Sequence, residues 1–184
     1  MCTRFALETL NSSHGWHCSE LWNVQTAVMG PAAIFPSVAK PRPTLHHLAL
    51  TVTDLDASLA WYQEVFDVSP MMEVPHPGGI GVVLGDEQLT LMIVLHRHDA
   101  NEPERFSELR TGLDHAGFMV ASRAELESWQ DHLAAHGVEP SAEAASPLTQ
   151  SPIADEPYGF VLVFRDPDNI QLEFIAPRGA ETQS

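Results

Sequence analysis

The sequence is poor in cysteine and in positive charge, and each shortage excludes a class of protein. Its 184 residues include two cysteines, Cys2 and Cys18, both near the N-terminus. A disulfide framework in the main body is therefore excluded, and nothing demands an oxidising compartment. Nine Lys and Arg stand against 25 Asp and Glu, so the formal net charge is −16. Such a surface repels phosphate backbones and anionic lipids, which argues against nucleic-acid and membrane partners.

Long apolar runs are also missing. No run approaches the roughly 18 apolar residues that a membrane-spanning helix needs. The N-terminal stretch lacks the basic head and apolar middle of a signal peptide, so we predict a cytoplasmic protein. Apolar residues nevertheless make up 44% of the chain, which is enough to build one domain with a sizeable core.

The first 43 residues differ in composition from the rest. The stretch "MGPAAIFPSVAKPRPT" carries four prolines, at positions 31, 36, 41 and 43. Proline removes backbone donors and resists both helix and sheet, so this stretch is typical of a linker. We predict an N-terminal extension over residues 1–43, a folded domain over 44–177 and a C-terminal tail over 178–184.

The folded part contains an internal repeat. Four pairs of identical residues lie 68 positions apart: Leu45 and Leu113, His47 and His115, Val52 and Val120, Trp61 and Trp129. In each half a short apolar strand precedes a helix, and a β-hairpin or meander follows. Thr53 or Asp54 can cap the first helix, while Ser122 and Glu125 form a capping box for the second and Gly137 ends it. The repeat predicts two modules, over about residues 44–98 and 112–177.

Adjacent histidines lie near the start of the strand "LHHLALTV", which we place over residues 45–52. Successive strand residues face opposite sides, so only one of His46 and His47 can face a cavity. The repeat selects His47 because His115 is its counterpart, and it leaves His46 on the helix-facing side.

A carboxylate joins the two histidines as a candidate ligand. Glu173, in the last strand "IQLEFIAP", lies among apolar neighbours. A carboxylate is costly there unless it is paired or bound to metal. Two imidazoles and one carboxylate on strand faces that could converge predict a divalent-metal site.

The remaining candidate residues lie around this set. Aligning the two hairpins with a small gap puts the first-half counterpart of Glu173 at Met92, a poor ligand for a hard ion. His96 shares the strand parity of Met92 and could reach the cavity as a fourth ligand or acid–base group; a solvated strand end is the alternative. Tyr158 either borders the cavity or packs in the core. The proline-rich segment 139–159 is either a lid or a passive loop.

Three stretches, "HHLALTVTDLDASLAWYQEVF", "LDHAGFMV" and "YGFVLVFRDPDNIQLEFI", resemble the vicinal oxygen chelate superfamily. This superfamily includes glyoxalase I, bleomycin-resistance proteins, fosfomycin-resistance enzymes and extradiol dioxygenases. The resemblance covers about residues 44–177. It implies an α+β fold of two tandem βαβββ modules whose curled mixed sheets form a cup around a metal. The metal positions of the family map onto His47, His115 and Glu173, and the family's habit of pairing modules implies a homodimer.

The resemblance also narrows the function. Glyoxalase I takes a fourth protein ligand from its first module, so Met92 argues against a strict glyoxalase. The three-ligand pattern looks more like that of extradiol dioxygenases or fosfomycin-type transferases. We expect an enzyme whose small substrate chelates a divalent ion through oxygens, with Met92 and Tyr158 as candidate substrate contacts. Ferrous iron would suit a dioxygenase, whereas Zn²⁺, Mn²⁺, Ni²⁺ or Mg²⁺ would suit an isomerase, lyase or transferase. The alternative is a metal-free cup that sequesters an antibiotic, as in the bleomycin-resistance type.

Overall fold

The computed structural model of the protein describes residues 42–178. Except for Arg178, the predicted C-terminal tail lies outside the described residues, as do all but the last two residues of the predicted N-terminal extension. Within the described part, every helix is too short or too polar to cross a membrane.

The first module is a four-stranded sheet with one helix. Its elements are β1 (Leu48–Thr51), α1 (Leu55–Phe66), β2 (Ser69–His76), β3 (Gly79–Gly85) and β4 (Met92–His98). The strand order is β1-β4-β3-β2, in which β1 runs parallel to β4 and the other neighbours are antiparallel. The two ends of the module therefore lie side by side in the sheet, with β1 at one edge.

The second module repeats this path with a broken edge. Its elements are β5 (Ala116–Met119), α2 (Arg123–Ala135), β6 (Glu139–Pro140), β7 (Thr149–Gln150), β8 (Ala154–Glu156), β9 (Gly159–Arg165) and β10 (Gln171–Pro177). The strand order is β5-β10-β9-β7-β6, and β8 also pairs with β9. Three short strands thus occupy the proline-rich segment that we had treated as a lid or loop. The predicted α+β class with two repeated modules is confirmed.

Both helices begin and end where the sequence predicts. Asp54 is the N-cap of α1, and its carboxylate accepts a hydrogen bond from the backbone N–H of Ala57 at 3.1 Å. Ser122 caps α2 by accepting from the N–H of Glu125 at 3.3 Å, while the Glu125 carboxylate accepts from the backbone of Ala121. Gly137, with a φ of 77°, ends α2 in the left-handed conformation that glycine adopts without strain.

An aromatic cluster joins the two modules. The Phe174 ring of β10 stacks on Trp129 of α2, with ring centroids 4.3 Å apart, and on Phe164 of β9 at 4.9 Å. Phe66, at the end of α1, lies 5.9 Å from the same ring. The helix of module one therefore packs into the core of module two. Trp61 is also buried, so the tryptophans at matched positions of the two helices both contribute to packing.

Hydrogen bonds fix the same junction. The Tyr62 hydroxyl donates to the buried Asp166 carboxylate at 2.9 Å. Asp168, also buried, accepts from the hydroxyl of Thr53 at 2.5 Å and from its backbone N–H at 3.1 Å. The turn between β9 and β10 thus holds the start of α1, which sets the position of one sheet relative to the other.

Candidate functional site

His115 and Glu173 lie side by side on the open face of the second sheet. His115 precedes β5, and Glu173 belongs to the neighbouring parallel strand β10. Their Nε2 and Oε1 atoms are 3.5 Å apart, a spacing at which both atoms can bind one ion. The Asp114 carboxylate lies 2.6 Å from Nδ1 of His115. A carboxylate on the far nitrogen orients the ring and leaves Nε2 free to bind a metal.

Gly117 makes the room that the Glu173 side chain occupies. The two residues are register partners across β5 and β10. A Cβ atom at Gly117 would lie 2.9 Å from Oε1 of Glu173 and 3.3 Å from its Cγ. Any side chain there would push the carboxylate aside. Glu173 alternates with buried Leu172 and Phe174, as its predicted strand face requires.

His46 and His47 differ from the prediction. Strand β1 begins only at Leu48, so both histidines precede it and strand parity does not separate them. Both are exposed, their Nδ1 atoms are 2.9 Å apart, and both line the same cavity of about 630 Å³. Because the cavity does not separate the two histidines, the assignment of His46 to the helix-facing side stays a prediction. The role of His47 as a metal ligand stays a prediction.

The cavity lies between the edge strands of the two sheets. Its lining includes three of the predicted site residues, His47, Met92 and His115, and the aromatic rings of Phe66 and Trp129, but not Glu173. An apolar wall with imidazoles at its rim is typical of a small-molecule site.

The counterpart of Glu173 in module one is Val94 and not Met92. Leu48 pairs with Ile93 across β1 and β4, as Ala116 pairs with Leu172 across β5 and β10. Val94 therefore occupies the Glu173 position, and Met92 occupies that of Gln171. The hairpin turn of module one is one residue longer, which accounts for one of the two positions by which the alignment was displaced. The conclusion that module one lacks this carboxylate holds, because valine offers no ligand.

A second group of ligand atoms lies on the first sheet. His76, His96 and His98 each offer a ring nitrogen within 4.8 Å of the other two, which could hold a metal ion. No other group of three such ligands within this distance occurs among residues 42–178. The sequence had indicated His96 but not His76. Strand β2 brings His76 beside the other two histidines, but its prolines at positions 70 and 75 are unfavourable in a strand and so β2 was not predicted. The alternating pattern in "MMEVPH" was the sequence signal that could have revealed it.

The environment of His96 favours its neutral form. Partial burial lowers the pKa of this imidazole, and nearby positive charge on His76, His98 and His47 would lower it further. A neutral ring keeps a lone pair that can accept a proton or a metal ion.

Tyr158 lies at the turn between β8 and β9 with 66% of its surface exposed. It does not pack in the core, so that alternative is wrong. Its contact with a substrate stays a prediction.

Comparison with known proteins adds a family and a set of relatives. The model of the Glyoxalase/Bleomycin resistance protein/Dioxygenase superfamily matches residues 44–174. The uncharacterized protein PA2024 of Pseudomonas aeruginosa is 34% identical over 137 residues, which are 72% of this chain and 87% of the relative. YqjT of Bacillus subtilis is 25% identical over 136 residues, 72% of this chain and 98% of the relative.

Two solved structures show the same architecture. A glyoxylase/bleomycin resistance protein/dioxygenase domain from Frankia sp. EAN1pec matches with a TM-score of 0.65 and 33% identity, covering 75% of this chain and 100% of that one. The fosfomycin resistance protein FosX of Listeria monocytogenes matches with a TM-score of 0.54 and 20% identity, covering 75% and 96%. At that identity, FosX supports the fold alone.

Proposed function

Because the chain belongs to the glyoxalase/bleomycin resistance protein/dioxygenase superfamily, we propose that it is a metal-dependent enzyme. Its substrate is a small molecule that chelates a divalent ion through oxygens. The observation that carries this proposal is the pairing of His115 with Glu173, 3.5 Å apart. Asp114 orients the imidazole, and Gly117 leaves space for the carboxylate. A structural ion pair would need neither feature.

We infer that His47 supplies the third ligand from a second copy of the chain. Among the described residues, His47 joins no three-ligand group with His115 and Glu173. Strands β1 and β5 are sheet edges, and the β5 side chain Met119 is 81% exposed. Unpaired edges favour association with another copy. In a two-fold dimer the contact is reciprocal, so two equivalent sites form.

The bound ion would supply Lewis acidity to a substrate oxygen. Glu173 would hold negative charge beside the ion, and the His115–Asp114 pair would keep the imidazole ligand in one orientation. Met92 would contact the carbon skeleton of the substrate. One FosX crystal structure contains Mn(II) and a dihydroxypropylphosphonic acid. That ligand is the kind of small oxygen donor expected here, although at 20% identity it does not identify the substrate.

The acid–base role of His96 stays a prediction. Its neutral imidazole could accept a proton from a substrate, but His76 and His98 lie beside the same nitrogen. Activity of a His96→Gln variant, once a substrate is known, would decide it.

Metal binding by mixed variants tests the proposal. His47→Ala and His115→Ala should each abolish Mn(II) binding at this site. Mixing the two, with unfolding and refolding to exchange copies, should restore about one quarter of the wild-type capacity. Half of the dimers are then mixed, and each mixed dimer keeps one intact site of two.

Two results would contradict this account. No recovery in the mixture would place all three ligands in one chain or exclude His47. Absence of Mn(II), Fe(II), Ni(II) and Zn(II) binding at His115 and Glu173 in the wild type would favour the metal-free binding protein instead.

A further inference from the structure

We propose that His76, His96 and His98 form a second metal site, separate from the site at His115 and Glu173 and selective for late transition-metal ions such as Zn(II) and Co(II). The side chains come from the ends of β2 and β4, which flank β3 in the first sheet. An ion there would link β2 to β4 across the intervening strand.

The spacing of the ring nitrogens suits a small ion. Nδ1 of His96 lies 3.4 Å from Nε2 of His76. Two imidazole nitrogens on a tetrahedral zinc ion are about 3.3 Å apart, since each Zn–N bond is about 2.0–2.1 Å. His98 completes the group within 4.8 Å, and its ring stacks on that of His96 at an interplanar angle of 14°. Three ligands leave a fourth position open toward solvent, because His98 is exposed.

Glycine in β3 gives the rings their place. A Cβ atom at Gly81 would lie 2.6 Å from Cε1 and 2.8 Å from Nδ1 of His96, and one at Gly79 would lie 2.8 Å from Cε1 of His76. The His96 and His76 rings thus lie over bare backbone. In addition, Nδ1 of His76 lies 3.3 Å from the carbonyl oxygen of Pro77. A carbonyl at Nδ1 fixes the proton there and leaves Nε2 as the metal ligand.

The ligand chemistry separates the two sites. The group on the first sheet is imidazole only, which suits zinc, cobalt, nickel and copper and disfavours the oxygen-seeking Mg(II) and Mn(II). The proposed site on the second sheet includes a carboxylate. Position separates them too: His96 lies two residues beyond Val94, the counterpart of Glu173, or about 6.6 Å along the strand. His76 comes from the opposite edge of the sheet to β1.

Cobalt titration of tag-free, metal-stripped protein tests this site, because tetrahedral Co(II) has a strong visible absorption. The wild type should bind two Co(II) ions per chain. His76→Ala and His98→Ala should each bind one, and His115→Ala should keep the ion of the first sheet. His98→Ala combined with His115→Ala should bind none, whereas the control His136→Gln, on α2, should bind two. Zn(II) should raise the thermal unfolding temperature of His115→Ala, and adding His98→Ala to that variant should remove the rise.

The outcomes for the two sites are distinguishable. Wild-type cobalt binding by both His76→Ala and His98→Ala would overturn the second site. Loss of all cobalt from either variant, or from His115→Ala, would mean one shared site and would also overturn it. If His115→Ala instead binds as much as the wild type while His98→Ala loses one ion, the second site stands and the proposed enzyme site fails. Mn(II) titration adds an independent readout: His98→Ala should bind it as the wild type does.

Discussion

Asp86 and Asp166 occupy the same place in the two modules, at the start of the turn that joins the last two strands. Asp86 accepts from the backbone N–H of Leu91 at 2.9 Å, and Asp166 accepts from that of Ile170 at 2.7 Å. Yet these hydrogen bonds lower the pKa of the partly exposed Asp86, whereas burial raises the pKa of Asp166 to about 7. The same local structure thus produces opposite electrostatics, because the environment of the turn decides the charge state.

The two sheets show the same divergence. Module two keeps a carboxylate at Glu173 beside His115, while module one has Val94 at that position. Module one instead gathers three imidazoles farther along the same face. The repeat preserves the backbone path and the helix-facing core, whereas the chemistry differs on the other face of each sheet.

The largest expected difference lies in the two cores. Phe174 and Leu95 occupy corresponding buried positions, but Phe174 stacks on other aromatic rings of both modules. Phe174→Ala should lower the free energy of unfolding by about 4 kcal/mol and Leu95→Ala by about 3 kcal/mol. Urea denaturation measures both. A larger loss for Leu95→Ala would mean that module one carries the shared core.

The next largest effect is expected at Glu173, because module one has Val94 at the corresponding position. Glu173→Gln should weaken Mn(II) binding by about 100-fold, since the amide cannot supply the negative charge that a hard ion prefers. Isothermal titration measures the affinity. Glu139→Gln, which removes an exposed carboxylate from β6, is the charge-matched control. Equal losses in both variants would indicate binding to the acidic surface in general.

A pair of glycine variants should separate the two faces. Gly117→Ala displaces the Glu173 carboxylate and should weaken Mn(II) binding by about tenfold, as changes beside a ligand typically do. Gly81→Ala displaces His96 and should leave Mn(II) binding unchanged while weakening Co(II) binding at the imidazole group. An effect of Gly81→Ala on Mn(II) would mean that the two faces share one ion.

The smallest expected effect, counted for each unit of pH, is the pH dependence of stability that the two turns produce. Asp166 binds a proton more tightly when folded, so stability should be highest near pH 4 and fall as pH rises to about 7. The slope is at most about 1.4 kcal/mol per pH unit. Asp86, with its lowered pKa, should act in the opposite sense and lose its contribution as pH falls below its ordinary value of 3.8.

Urea midpoints between pH 4 and 8 measure this dependence. Asp166→Asn should flatten the slope between pH 4 and 7, and Asp86→Asn should leave that part unchanged. A wild-type slope that persists in Asp166→Asn would assign the effect to the histidines instead.

The sequence predicted the fold well because the repeat and its periodicity are local signals. Identical residues at one offset aligned the modules, and the capping residues Asp54 and Ser122 placed the helices. Strand parity also put Glu173 on the open face. These features depend only on neighbours in the chain.

The rest depends on contacts between distant residues. The alignment put Met92 in the place of Val94, a displacement of two residues that only the register of β1 and β4 reveals. His76 lies in β2, which its prolines had made hard to predict, and it reaches its partners across β3. The strand start at Leu48 removed the parity argument for His46 and His47. Each miss concerns a register or boundary that tertiary pairing sets.

Asp166 and Asp168 accept hydrogen bonds from Tyr62 and Thr53, so each module depends on the other for partners of its buried polar groups. The first helix finds its partners some 104 to 115 positions away in the chain, so the covalent linker between the modules is not what positions them. A chain cut in the exposed segment 99–105 should therefore remain one particle, and its two halves, produced separately, should reassemble when mixed. The contact between the modules thus resembles the interface of a heterodimer whose two subunits are joined by a peptide linker.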